Sequence, residues 1–185
     1  MSFKVIGQRL VRKDQVAKAT GIAQYTVDVQ FPDTLHCVTL KSPHAHALIN
    51  DIDTSEAEKL HLMGTKPSCN RGACGACTVI LDGVAVLSCM TLTADCHNKS
   101  VVTIEGLGTP DHLHPIQEAF IENNGSQCGF CTPGMIVAAK ALLDKNPDPS
   151  VDEIKSGLAN NTCRCGNYSF ITRAVLSAAK KLKER

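Results

Sequence analysis

The sequence predicts an α+β protein whose strands come first and whose helices come last. Two observations carry that order. Up to about residue 106 the apolar residues sit in short β-branched runs broken by Gly, Pro and Asp, whereas beyond Leu107 they recur at helical spacing between start and stop signals. A third observation is the ten cysteines among 185 residues, eight of which fall into two spaced groups. These features divide the chain into a β-rich arm over 1–55, a small strand-bearing unit over 56–106 and a helical unit over 107–185.

In the arm, Tyr25-Thr26-Val27-Asp28-Val29 alternates, Phe31-Pro32-Asp33 marks a turn, and Leu35 to Leu40 is apolar, so Phe3 to about Ser55 is expected as short strands with irregular connections. A brief helix is expected over 54–60, with Thr54 or Ser55 as N-cap. In the second unit a Gly-rich loop precedes strands at Thr78 to Leu81, Val84 to Cys89 and Val101 to Ile104. Asp82-Gly83 between the first two signals a hairpin, because both central residues of such a tight turn need positive φ. Helices are expected at Pro115 to Asn123, Pro133 to Asp144, Val151 to Asn160 and Ser169 to Lys183. Thr132-Pro133 places proline at a helix start, Asn146-Pro147 stops that helix, and Ser150-Val151-Asp152-Glu153 has the form of a capping box. Four short helices suit a small bundle.

The net charge is +1, and no long run of like charges occurs, so nucleic acid is not an expected partner. The basic end, Lys180, Lys181, Lys183 and Arg185, is read as the solvated last turn of a helix, where cations suit the dipole. No stretch of 18 apolar residues is present, so no membrane span is expected, and the chain is expected in the cytoplasm. Disulfides are disfavoured in a reducing compartment, so the cysteines point to metal or redox chemistry.

Cys69-x4-Cys74-x2-Cys77 followed by Cys89 is the plant-type [2Fe–2S] spacing. Iron prefers soft anionic thiolates, and Gly72 and Gly75 let the backbone wrap closely and aim amide N–H groups at the sulfurs. The second group, Cys128-x2-Cys131 and Cys163-x-Cys165, places each pair just ahead of an expected helix, where free N–H groups and the dipole stabilise anions. A second [2Fe–2S] cluster is expected there. Zinc remains an alternative for either set, and with it a zinc-binding scaffold or assembly protein. Cys37 and Cys96 belong to neither set and are read as small buried apolar residues. His44 with His46, and His112 with His114, lack a third ligand nearby in sequence and are not taken as metal sites.

The residues Gly64-Thr65-Lys66, Cys74-Gly75-Ala76-Cys77-Thr78-Val79, Thr103-Ile104-Glu105-Gly106-Leu107, Gln127-Cys128-Gly129-Phe130-Cys131-Thr132-Pro133-Gly134-Met135 and Cys163-Arg164-Cys165-Gly166 resemble the iron–sulfur subunit of molybdenum hydroxylases, the xanthine dehydrogenase and aldehyde oxidoreductase family. The resemblance runs from about Leu60 to Arg185. It implies a ferredoxin-like β-grasp domain for the first cluster and a four-helix bundle for the second. It also implies electron transfer from a molybdopterin centre on a large subunit, through both clusters, to FAD on a further subunit, with Gln127 contacting the pterin. The first sixty residues depart from that subunit, because the opening hairpin and helix of the β-grasp are absent. Val5 to Leu10, Ala17 to Gly21, Ala23 to Thr26 and Lys41 to Ala47 instead resemble the opening segment of the family's large, molybdenum-binding subunit. The chain is thus expected to be a fusion of that segment to a truncated iron–sulfur subunit. The partial β-grasp would expose a sheet edge that another segment must cover, and the arm is expected to dock on the large subunit.

Overall fold

The computed structural model describes residues 12–25, 28, 62–96 and 98–184. The strands expected between 29 and 55, the helix expected at 54–60, Cys37 and the pair His44 and His46 lie outside the described residues. Four helices follow a small sheet, in the expected order: α2 (Pro115–Glu122), α3 (Thr132–Lys145), α4 (Val151–Gly157) and α5 (Tyr168–Lys183). The sheet is β1 (Thr78–Leu81), β2 (Val84–Leu87) and β3 (Val101–Val102), in the order β2-β1-β3 with both pairs antiparallel.

The hairpin forms as its turn residues require. Asp82 and Gly83 have φ of 47° and 79°, and Leu81 stands opposite Val84 across the turn. The second and third strands end earlier than the sequence suggested. Ser88–Met90 forms a 3-10 turn instead of more strand, while the Ser88 N–H donates to the Cys77 carbonyl at 3.2 Å. That turn brings Cys89 back toward the first cysteine loop. Ile104–Gly106 is likewise a 3-10 turn, held where the Glu105 carboxylate accepts from the Gly64 N–H at 2.7 Å and the Thr103 hydroxyl at 2.6 Å.

The helix ends follow their caps. His114 caps α2: its Nδ1 accepts from the Ile116 N–H at 3.2 Å, while the Gln117 side chain accepts from the His114 N–H at 2.8 Å. Ser150 and Glu153 form the capping box expected at α4. In α5, Ile171, Ala174, Val175, Ala178 and Ala179 are buried at helical spacing, which turns one face to the core. α3 is buried from Thr132 to Ala139, as suits a helix surrounded by others. It contacts β1, α2, α4 and α5, while α2 packs extensively against α5. Ile116, Phe120, Met135, Ile136, Ile154 and Ile171 form the centre of this core.

The arm differs from its expected form. Its described part contains a helix, α1 (Gln15–Thr20), ended by Gly21 at φ 85°. α1 packs on α2 and α3 of this same chain. Gln15, Lys18, Ala19 and Thr20 are buried by that contact, which explains why a segment without an obvious amphipathic period becomes helical: tertiary burial overrides weak local preference.

Candidate metal centres

The first cysteine loop, residues 69–77, is built on main-chain donors. The Ala73 N–H donates to Cys69 Sγ at 3.3 Å. The N–H groups of Arg71 and Ala73 and the neighbouring Cys74 thiol push the Cys69 thiol down to about 6. Cys89, delivered by the 3-10 turn after β2, lies against Cys77 and receives the Gly72 N–H. Burial nevertheless pushes its thiol up, with the Cys77 thiol adding to the effect. The four thiols thus meet as two pairs, Cys69 with Cys74 and Cys77 with Cys89.

Gly72 and Gly75 both have positive φ, 76° and 71°. At Gly75 space is also restrictive, since a Cβ there would fall 2.5 Å from Asn161 Nδ2 and onto the Asn160 carbonyl. Asn161 Nδ2 donates to the Gly75 carbonyl at 2.9 Å and to Thr78 Oγ1 at 3.0 Å, and the Thr162 N–H donates to the Cys74 carbonyl at 2.8 Å. The segment leading into Cys163 therefore braces the first cysteine loop from behind.

The second set lies at helix starts, as the sequence suggested. Cys131 is the N-cap residue of α3, and Cys163 and Cys165 precede α5. Cys128 meets Cys165, Cys131 meets Cys163, and Cys163 also reaches Cys165. Main-chain N–H groups again face the sulfurs, with Phe130 donating to Cys128, Cys128 to Cys165 and Asn167 to Cys163 Sγ at 3.4 Å. Burial pushes the Cys128 and Cys131 thiols up, while the Cys128 N–H pulls Cys165 down. Among the described residues, no group of three or more His, Cys, Asp or Glu side chains forms a single-ion site. Thiols arranged two by two, each set fed by N–H donors, suit a cluster that takes two thiolates per iron.

Gln127, the expected pterin contact, is exposed beside Cys128; its Nε2 donates to Asn167 Oδ1 at 3.0 Å. Asn167 in turn donates to the Asn124 carbonyl at 2.9 Å, which fixes the Gln127 amide in place. Cys96 is half-buried rather than buried as expected, and its thiol donates to the Leu92 carbonyl at 3.6 Å. Sequence reasoning did not identify Asn161, Asn167, Lys18, Tyr25 or Lys66 as neighbours of these loops. Lys66 is 1% exposed, and its ammonium lies 5.0 Å from the Tyr25 ring centre and 5.7 Å from that of Phe130. Burial lowers its pKa.

Residues 103–176 match the family described as [2Fe-2S] binding domain, and residues 20–64 match that described as aldehyde oxidase and xanthine dehydrogenase, a/b hammerhead domain. The chain is 50% identical over 121 residues to a nicotinate dehydrogenase subunit of Pseudomonas putida, covering 65% of this chain and 77% of that one. It is 42% identical over 141 residues to the aldehyde oxidoreductase iron-sulfur-binding subunit PaoA of Escherichia coli, covering 68% of this chain and 62% of the relative. Among solved structures, quinoline 2-oxidoreductase from Pseudomonas putida 86 superposes with a TM-score of 0.63 at 38% identity, over 68% of this chain and 78% of that one. Aldehyde oxidoreductase from Desulfovibrio gigas superposes with a TM-score of 0.67 at 42% identity, but the match spans 71% of this chain and only 15% of that enzyme. The expected resemblance is borne out at both ends of the chain, and the protein belongs to the iron–sulfur subunits of the xanthine dehydrogenase and aldehyde oxidoreductase family of molybdenum hydroxylases.

Proposed function

We propose that this chain carries electrons through two [2Fe–2S] clusters, one on Cys69, Cys74, Cys77 and Cys89 and one on Cys128, Cys131, Cys163 and Cys165. The observation that carries the reading is the pairwise meeting of thiols in both sets, with main-chain N–H donors facing the sulfurs. Such clusters, when bound, accept and release one electron each. The chain's own residues supply main-chain N–H dipoles that favour the anionic ligands. Asn161 and Thr162 join the two loops through Gly75 and Cys74, giving the electron a short covalent and hydrogen-bonded connection between the sites.

In this reading electrons arrive from a molybdopterin centre on a large partner subunit, pass the helical-domain cluster and then the first one, and leave toward FAD on a further subunit. Gln127 faces the pterin, since its amide is exposed yet held by Asn167. The divisions at 1–55, 56–106 and 107–185 correspond to arm, first-cluster unit and second-cluster unit. Among the described residues no helix is long and apolar enough to cross a membrane.

Anaerobic purification with iron, acid-labile sulfide, zinc, molybdenum and flavin analysis tests the proposal. About four irons and four sulfides per chain are expected, as two such clusters require, with molybdenum and flavin appearing only in fractions that retain partner subunits. Zinc without sulfide would overturn it in favour of a zinc-binding scaffold.

A further inference from the structure

The described part of the arm does more than cover the core, because it reaches the second cysteine loop. Lys18 Nζ donates to the Gln127 carbonyl at 2.7 Å, and Arg12 Nη1 donates to the same oxygen at 3.1 Å. Tyr25 donates its hydroxyl proton to the next carbonyl, that of Cys128, at 3.0 Å. The Tyr25 ring stands edge-on to Phe130, with centroids 5.5 Å apart. Gly129 lies between, at φ 88°, and a Cβ there would collide with Tyr25 Oη and the Lys18 chain. This loop therefore has glycine where Tyr25 and the Lys18 chain leave no room for a side chain.

We propose that Lys18 and Tyr25 are positioning residues that raise the reduction potential of the second cluster, Lys18 by placing its charge on the Gln127 carbonyl and Tyr25 by fixing the Cys128 carbonyl. The inference rests on the two-cluster reading. Reduction adds one negative charge to the cluster, and a nearby cation stabilises that form more than the oxidised one. Lys18 is only 8% exposed, so water screens its charge weakly. Asp14 accepts from Lys18 at 2.5 Å and from Arg12 at 3.0 Å, so two cations and one anion leave a single positive charge at the carbonyl. At the first loop, among the described residues, no Lys or Arg side chain donates to a carbonyl within residues 69–77.

The test is a dithionite redox titration of the full chain, followed by EPR, so that the first cluster serves as an internal reference. Lys18→Met is expected to lower the reduced-to-oxidised ratio of the second cluster about tenfold at fixed potential, equivalent to about 59 mV for one electron, while leaving the first unmoved. Lys18→Arg is expected to restore it. Tyr25→Phe keeps the ring against Phe130 and is expected to shift the same signal in the same direction, by less. An unmoved second signal in both Lys18→Met and Tyr25→Phe, or an equal shift of both clusters, would overturn the inference. Should Lys18→Met fail to assemble the second cluster, Tyr25→Phe decides by the same criterion. Absence of iron and sulfide from the unaltered chain would instead remove the two-cluster reading, and the inference with it.

Discussion

The two cysteine loops share a ligand chemistry and differ in what surrounds it. The first, at 69–77, takes its order from turns, positive-φ glycines and main-chain N–H groups. The second is formed where α3 and α5 begin, with Cys163 buried in the core and the loop covered by α1 and Tyr25. A local loop can be lost without the fold, whereas a site made from helix starts shares its stability with the core. The two sets of four thiols thus have different electrostatic surroundings, the first made by the backbone and the second by the backbone plus a buried lysine.

The largest effect that would break this comparison is expected from Gly75→Val. A β-branched residue at φ 71° is strained, and its Cβ would displace Asn161 and the Asn160 carbonyl, so a loss of about 3 kcal/mol or more is expected. Iron and sulfide analysis would show the first cluster missing, and thermal unfolding would show the second unit weakened as well, because the brace runs through Asn161. Retention of both clusters would mean that the brace is unimportant.

Paired serine substitutions sharpen the contrast. Cys69→Ser is expected to remove the first cluster with little change in unfolding temperature, while Cys163→Ser removes the second and lowers that temperature by several degrees, since Cys163 is a core residue. Differential scanning calorimetry alongside iron analysis would separate the two, and equal destabilisation would contradict the difference in burial. Asn161→Ala removes two buried hydrogen bonds, to the Gly75 carbonyl and Thr78 Oγ1, at a cost of about 1–2 kcal/mol. It is expected to broaden or diminish the first EPR signal more than the second. Ser150→Ala should be the mildest change: it deletes the cap of α4 at about 1 kcal/mol and leaves both EPR signals as they were.

What could be read from the sequence was local. The hairpin at Asp82-Gly83, the capping box at Ser150 and Glu153, and the proline at the start of α3 depend on residues within a few positions of one another. Both cysteine sets were visible for a similar reason, because Cys69, Cys74 and Cys77 share one loop, and Cys128 with Cys131 and Cys163 with Cys165 are near neighbours in the sequence. The brace between Asn161 and Gly75 joins residues 86 apart, and Lys18 reaches Gln127 across 109 residues, so neither had a local signature. α1 was missed because its burial against α2 and α3, rather than its own sequence, makes it helical. The motif residues Gly64 and Glu105 lie 41 positions apart in the sequence, and the structure shows them hydrogen-bonded to each other.

The most direct test of two clusters in one chain is low-temperature EPR of the dithionite-reduced protein with spin quantitation. The account predicts two distinct paramagnetic signals, each integrating to about one spin per chain, as two reduced [2Fe–2S] centres would give. A single signal of about one spin per chain, with zinc in place of the remaining iron, would contradict it.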